Sequence, residues 1–509
     1  MTRTRRLISG VGVGYAYQLV TTLVGIWLTA FLLSQLGQER YGLWLLVVQI
    51  VGFLALLDLG ITVILPREIA FTTGRAGVSG EGGRNITGLM GQTANHVLLQ
   101  IPIVLIASAA LLLLLPQEWV SVRWPLAAVM LVYILMFPLR IFQATLHGLQ
   151  DFAALGVISA ASWTMGTIVT VGLVLNNFGL YAVALGWSVT QSLTAALTYI
   201  RIKKTFPETL PRRIPRLDVA YLRARIARYL WISAQQISHV LLSGTDLLIV
   251  GKVLGPATVV PYFCTAKIIS VLRHQPQLLM DTAAPALSEV RTGESRERLI
   301  RASTSLTLAA LIFSGYLACF TLVVNQGFVQ WWVGSERFAG VTLTFLLAVN
   351  AVLRHLARGL QYGNFAYGED KFIAVVTLSD GLVTVGAGFA LVHLMGMPGV
   401  ILGSIISAVV IAIPANVARF AKRSEAGLKG TLLPLVPWAW RFLLVLSVAA
   451  AAALWWKPVG LAQLVGAAVA ITAVYLLVMT PVALREPVGT YFRPRAERVI
   501  GSLRRALGI

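Results

Sequence analysis

Fourteen apolar segments, each long enough to cross a bilayer, leave this 509-residue chain little choice of environment. They fall near 7–36, 41–65, 88–115, 124–146, 152–175, 178–200, 229–252, 256–285, 302–325, 338–364, 371–394, 397–418, 433–456 and 459–484. A helix needs about 20 apolar residues to span a hydrocarbon core of roughly 30 Å. The expected fold is therefore an all-α integral membrane protein with about fourteen transmembrane helices. Charge is scarce enough to allow it: 12% of residues are charged and the mean hydropathy is +0.79, against about 25% charged in soluble domains. The first segment is too long for the apolar region of a cleavable signal. Cys264 and Cys319 both lie inside apolar stretches, so neither a disulfide framework nor a metal site is implied.

A net charge of +21 could suggest nucleic acid, but its placement argues otherwise. With the N-terminus in the cytoplasm, the inner connections hold 31 Lys and Arg and the outer ones 5. That asymmetry puts both termini inside by the positive-inside rule. The basic excess is then a topology signal that also attracts anionic lipid of the inner leaflet, and no nucleic-acid partner is expected.

The connection 201–228, with Pro207, Pro211 and Pro215 among nine basic residues, is the longest expected on the inner side. It divides an N-lobe (1–200, spans one to six) from a C-lobe (229–418, spans seven to twelve). Spans thirteen and fourteen follow within 419–484, and a basic cytoplasmic tail covers 485–509. Residues 14–37 align without gaps on 232–255, with Ala16/Ala234, Gln18/Gln236, Leu23/Leu241, Leu36/Leu254 and Gly37/Gly255 identical. The fourth and tenth spans align at a similar offset, pairing Arg140 with Arg354 and Leu146 with Leu360. Two pseudo-symmetric six-helix lobes around a central cavity follow, since transporters built from parallel repeats bind substrate between them.

Polar residues inside the spans recur at helical spacing. In the eighth span Lys267, Ser270, His274, Gln277 and Asp281 fall at i, i+3, i+7, i+10 and i+14, one face of a continuous helix, and Pro276 could bend it. Gln235, His239 and Asp246 share a face of the seventh span; Asn350, Arg354, Arg358 and Gln361 share one of the tenth. Such groups either line a water-filled cavity or glue helices together. Arg140 lies near the end of its span and reads as a snorkelling cation. Arg354 is roughly 18 Å from either end of its helix, too deep to snorkel. Arg354 and Arg358 are one turn apart, and two guanidinium forks so placed could grip a diphosphate, with Asp380 of the eleventh span as the partner when substrate is absent. Asp58 sits roughly 10 Å inside the second span, too deep for a helix cap. It either faces the inner mouth of a cavity, held by a cation or a hydroxyl such as Thr62, or ties its helix to a neighbour.

The stretches LSQLGQERYGLW (33–44), LLDLGITVILPREIA (56–70), LRIFQATLHGLQDF (139–152) and GTDLLIVGKVLG (244–255) resemble the polysaccharide, or oligosaccharide-lipid, flippases of the multidrug/oligosaccharidyl-lipid/polysaccharide exporter superfamily. In such families Gly37, Tyr41 and Gly42 mark the first outer turn, Asp58-Leu59-Gly60 and Arg67 the end of the second span, and Asp246 the start of the second lobe. The resemblance implies a transporter rather than an enzyme, multi-pass in the bacterial inner membrane. It would flip a polyprenyl-diphosphate-linked oligosaccharide unit from inner to outer leaflet by alternating access, for O-antigen or exopolysaccharide assembly. The last two spans are similar to those of the lipid II flippases. No cofactor is implied beyond a coupling ion, H+ or Na+; a glycan polymerase and chain-length machinery are possible partners. Expected substrate-binding residues are Arg354, Arg358, Lys267, Asn350, Gln361 and His274; expected coupling or gating residues are Asp58, Asp246, Asp281, Asp380 and His239. The rivals are a multidrug or cation antiporter of the same superfamily, which would favour an acidic or aromatic cavity, and a membrane glycan polymerase or ligase, which would display a large outer loop.

Overall fold

The computed structural model describes residues 3–490 apart from 59, 212–214, 216–218, 294, 295 and 459, together with residue 493. Side chains are described from residue 17 onward except at 61, 62, 76, 219, 221, 222, 224–229, 232, 284–286 and 288–293. The side chain of Thr62, one expected partner of Asp58, therefore lies outside the described residues. Among the described residues every regular element is helical. The chain falls into two compact units, Met1–Val240 and Leu241–Ile509.

The first unit contains α1 (Arg3–Leu36), α2 (Gln38–Leu54), α3 (Ile61–Ala76), α4 (Glu81–Leu113), α5 (Arg123–Met136), α6 (Arg140–Gly148), α7 (Phe152–Leu175), α8 (Leu180–Thr205) and most of α9 (Val219–Ser243). The second contains α10 (Asp246–Val253), α11 (Pro256–Leu272), α12 (His274–Gly293), α13 (Arg296–Val333), α14 (Val341–Ala366), α15 (Asp370–Met395), α16 (Met397–Ser407), α17 (Ile413–Ser424), α18 (Gly427–Leu432), α19 (Val436–Trp455) and α20 (Leu461–Ala483).

Twelve stretches among the described residues are long and apolar enough to cross a membrane, six in each unit. The two expected spans missing from that count, 229–252 and 256–285, are helical but broken. One breaks at Gly244-Thr245, between α9 and α10, and the other at Arg273, between α11 and α12. Pro276 explains the second break. Lacking an N–H, it cannot bond back to the carbonyl of Leu272, so it is tolerated only in the first turn of a new helix. The second span also ends early. After α2 the chain tightens into a 3-10 turn, Ala55–Asp58, and Gly60 then takes φ 77°, ψ 9°, a left-handed conformation that glycine adopts at little cost. The expected end at Leu65 is thus corrected to Asp58. Pro138 marks a comparable interruption, the 3-10 turn Phe137–Leu139 between α5 and α6.

The segment that begins the expected linker 201–228 is held against α4. Leading out of α8, a 3-10 turn Pro207–Thr209 presents Glu208, whose carboxylate accepts the Gly80 N–H (3.0 Å) and whose carbonyl accepts the Thr87 hydroxyl (2.6 Å). Asn95 donates to the carbonyl of Pro215 at 2.7 Å. In the second unit the last two spans pack on α13. Leu322, Trp438, Phe442, Ile471 and Tyr475 form part of one buried cluster, and the Tyr475 hydroxyl donates to the Ile312 carbonyl at 2.6 Å.

Two features of the second unit are sensitive to substitution. Where α15 and α16 cross, their backbones touch: a Cβ added at Gly403 would lie 2.3 Å from the Gly388 nitrogen. At one end of the unit, buried Glu369 accepts hydrogen bonds from Arg419 and Arg423 of α17, and the Arg419 guanidinium lies 4.9 Å from the centre of the Phe372 ring. Beside them Arg296 pairs with Glu425 at 2.6 Å. Burial alone would raise the pKa of Glu369, but the two guanidinium groups more than reverse this and hold it below the ordinary glutamate value.

Gly403→Val should force the α15–α16 crossing apart and cost about 1–3 kcal/mol, the usual penalty of overpacking, seen as a lowered melting temperature of the purified protein. Glu369→Gln should also melt earlier at neutral pH. A lowered folded-state pKa stabilises above the unfolded pKa, and the benefit is lost as pH falls through the folded value. The gap between wild type and Glu369→Gln should therefore close on acidification, and a gap independent of pH would contradict the assignment.

Candidate functional site

Helix α14 begins after Gly340 and runs unbroken to Ala366, so its polar residues at 350, 354, 358 and 361 do share one helix as expected. At its middle, Arg354 is surrounded by acceptors from α15 and α16. Its Nη1 pairs with Asp380, Nη2 donates to the Thr384 hydroxyl (2.9 Å) and the Ser404 carbonyl (2.8 Å), and Nε reaches the Ser404 hydroxyl at 3.2 Å. The Ser404 hydroxyl in turn donates to Asn350 Oδ1 (3.0 Å), and the Ser407 hydroxyl to Asp380 Oδ1 (2.6 Å). One residue beyond Ser407 the helix widens into a π turn, Ala408–Ala412, a distortion frequent at functional sites.

This network decides what Arg354 can do. Every nitrogen of its guanidinium is already engaged with protein, so in this structure it has no free fork to offer a diphosphate. That is the state expected of Arg354 when substrate is absent, held by Asp380. Arg358 instead lies beside Tyr362, whose hydroxyl donates to Asp281, and Gln361 makes a long contact (3.5 Å) to Thr377. The pairing of Arg354 with Asp380 is present as expected.

The other stripes are rearranged by the helix breaks. Lys267 and Ser270 belong to α11, whereas His274, Gln277 and Asp281 belong to α12, so the five do not form one continuous face. Lys267 Nζ sits 5.1 Å from the centre of the Phe263 ring; His274 and Asp281 are exposed. Gln235 and His239 are exposed on α9, while Asp246 opens α10 and accepts the Tyr262 hydroxyl at 3.0 Å. Buried His355, which drew no attention in the sequence, ties the break at Arg273 to α13. One ring nitrogen meets the Arg273 carbonyl (2.9 Å) and the other the Ser314 hydroxyl (2.7 Å).

The first unit holds a second intramembrane ion pair. Asp58 is buried; one carboxylate oxygen accepts the Gly60 N–H at 2.8 Å and the other lies 3.9 Å from Arg140 Nη2. Asp58 thus stands at the end of its span, where its carboxylate closes a turn on Gly60 without capping α3. Gln100 of α4 donates to the Asp58 carbonyl at 3.3 Å. Arg140, at the start of α6, donates to the Tyr133 hydroxyl at 3.2 Å and lies 5.9 Å from the ring centres of both Tyr133 and Phe137. It also lines a cavity of about 290 Å³ with Gly52, Tyr133, Met136, Trp187 and Gln191. The expectation that Arg140 merely snorkels is corrected: it is turned towards a buried carboxylate and a cavity. The available signal was its alignment with Arg354.

With this geometry in hand, the comparisons with known proteins gain meaning. A family model described as a polysaccharide biosynthesis protein matches residues 101–341. The fold is similar to that of the solved MurJ and MATE structures. A lipid II flippase, MurJ, in an inward closed conformation superimposes with TM-score 0.66 at 10% identity, covering 92% of this chain and 98% of that one. The MATE transporter VcmN of Vibrio cholerae gives 0.51 at 12% identity, covering 83% and 98%. An outward-facing multidrug resistance MATE transporter gives 0.50 at 18%, covering 83% and 94%. No protein with a curated description matches the sequence. The resemblance read from the motifs is found again in the family model and in the fold.

Removing one member of a buried ion pair strands the other. Arg354→Ala should cost about 3–5 kcal/mol, and Arg354→Ala/Asp380→Ala should regain much of that. Melting of the purified variants measures both. A single variant as stable as wild type would mean that Asp380 is not desolvated.

Proposed function

We propose that the protein is a flippase for a polyprenyl-diphosphate-linked oligosaccharide, moving it from the inner to the outer leaflet of the bacterial inner membrane by alternating access. The observation that carries this reading is coverage: the lipid II flippase spans 92% of this chain, whereas the two MATE structures span 83%. The match to a polysaccharide-biosynthesis family supports the same direction. Physically, a diphosphate and its sugars must pass a region where each unsatisfied polar group costs several kcal/mol, and a polar path lowers that barrier while the polyprenyl tail stays in lipid.

Within this reading the chain is a transporter and not an enzyme, both termini are cytoplasmic, and the basic inner connections meet anionic lipid. Arg358, Lys267, His274, Gln361 and Asn350 are assigned to the substrate path. Asp58, Asp246, Asp281, Asp380 and His239 are assigned to coupling or gating with H+ or Na+. Arg354 is assigned to the substrate path as well, held by Asp380 when substrate is absent. The glycan, of O-antigen or exopolysaccharide type, would pass to a polymerase and its chain-length machinery.

The test is flipping in proteoliposomes. A polyprenyl-diphosphate sugar bearing a fluorophore is placed in both leaflets, and an impermeant reductant is added outside. Wild-type protein should let most of the signal bleach, faster under an imposed ion gradient, where protein-free vesicles lose only about half. Bleaching no greater than in protein-free vesicles, together with uptake of an organic cation, would replace the flippase by the antiporter.

A further inference from the structure

Arg140 and Arg354, which the sequence alignment of the fourth and tenth spans pairs, are used differently. Arg354 spends all its nitrogens on protein. Arg140 spends one hydrogen bond, to Tyr133, and its ion pair with Asp58 is long at 3.9 Å. Guanidinium carries five N–H groups. Among the described residues, no protein acceptor lies within hydrogen-bonding distance of the others on Arg140. About a third of the Arg140 side chain is exposed (32%), against 4% for Asp58. Arg140 lines the cavity of about 290 Å³, whose wall is otherwise mainly apolar and includes Trp187 and Gln191. An apolar pocket with a few convergent polar groups is the general form of a ligand site, and a guanidinium with open donors selects an anion that can accept two bonds at once.

We propose that this cavity binds a phosphate or diphosphate group on Arg140, and that Asp58 is its built-in competitor, the carboxylate that holds the guanidinium when no ligand is present. The identity of the anion rests on the flippase reading; the site itself rests on the cavity and the pair. Binding then has a structural consequence. Arg140 shifts its bonds from the Asp58 carboxylate to the ligand, and the carboxylate keeps only its partners at the helix break, among them the Gly60 N–H. Ligand in the cavity is thereby linked to the joint between α2 and α3. Tyr133 steers the guanidinium and Trp187 supplies a flat apolar wall for what the phosphate carries.

The test uses the full chain in phosphatidylcholine nanodiscs, titrated with farnesyl diphosphate, with inorganic pyrophosphate, and in discs that also contain phosphatidylglycerol. Arg140→Gln should weaken diphosphate binding about tenfold or more, the scale of a charge-assisted bidentate contact. Arg140→Lys should fall between it and wild type. Asp58→Asn keeps an acceptor for Gly60 but loses the competing charge, so it should bind several-fold more tightly. A purely structural pair predicts the opposite for Asp58→Asn, namely weaker or unchanged binding, and that result overturns the proposal, as does unchanged affinity in Arg140→Gln. Should Arg140→Gln fold poorly because Asp58 is left alone, Arg140→Gln/Asp58→Asn, which strands no charge, is read against Asp58→Asn instead. Three results uphold the site and name its ligand. Farnesyl diphosphate binding without pyrophosphate binding assigns a lipid-linked anion. Equal binding of both assigns a soluble one. Competition by phosphatidylglycerol that Arg140→Gln abolishes assigns a membrane headgroup. The flipping assay keeps the two ideas apart. Arg140-dependent binding without flipping sinks the function and leaves the site; flipping and binding untouched by Arg140→Gln do the reverse.

Discussion

Taking a charge into hydrocarbon is affordable only where the protein supplies the partners that water would have given, and the second unit is arranged around one such case. Arg354 and Asp380 sit on different helices, and their hydrogen bonds draw in Ser404, Thr384, Ser407 and Asn350. Thr384, Ser404 and Ser407 are placed by the close packing of α15 on α16, which needs glycine at 403. The pair is therefore a consequence of the packing as much as its cause. A methyl group at the crossing would move the acceptors away from the guanidinium. Buried pairs of this type add little net stability compared with an apolar core, but they punish every arrangement in which they are unmatched. Such a pair fixes which helix faces which, a property a transporter needs more than it needs raw stability.

The same requirement explains the broken helices. Each interruption frees backbone groups that lipid cannot satisfy, and each has polar side chains at hand. Asp58 takes the Gly60 N–H between α2 and α3; Gln100 donates to the Asp58 carbonyl; His355 bridges the Arg273 carbonyl to Ser314. Pro138 and Pro276 lie in or beside two of the interruptions, and Gly60 in a third. Local chain chemistry thus sets where the helices bend, and polar side chains from neighbouring helices make those bends tolerable in a membrane.

Much of this was legible in the chain itself. The all-helical membrane fold follows from segment length and scarcity of charge, and the partnership of Arg354 with Asp380 from depth alone. What periodicity could not supply was continuity. A stripe such as Lys267 to Asp281 is a face only if the helix is straight, and the missing N–H of Pro276 ends the helix three residues before it, at Arg273. Apolar windows run across such breaks because hydropathy does not register backbone hydrogen bonds. For the same reason Asp58 read as lying roughly 10 Å inside a span when it stands at the end of one. Arg140 was misjudged by distance: its nearness to a span end suggested a route to water, but the side chain follows the charge of Asp58 and the ring of Tyr133 into the interior.

Arg140 and Arg354 show two ways of holding a cation among apolar helices. At the position of Arg354 the neighbouring helices supply hydroxyls and a carboxylate in direct contact, and the side chain becomes part of the framework. At the position of Arg140 the nearest carboxylate stops 3.9 Å short and a cavity opens where further acceptors would otherwise stand. A cation left in that condition is costly unless something else satisfies it for part of the time. Water alone could do so, but the cavity wall is largely apolar, and an anionic ligand offers the guanidinium more than water can. The incomplete solvation of Arg140 is thus the physical reason to place an anion site in the first unit, in addition to the substrate-path residues proposed in the second.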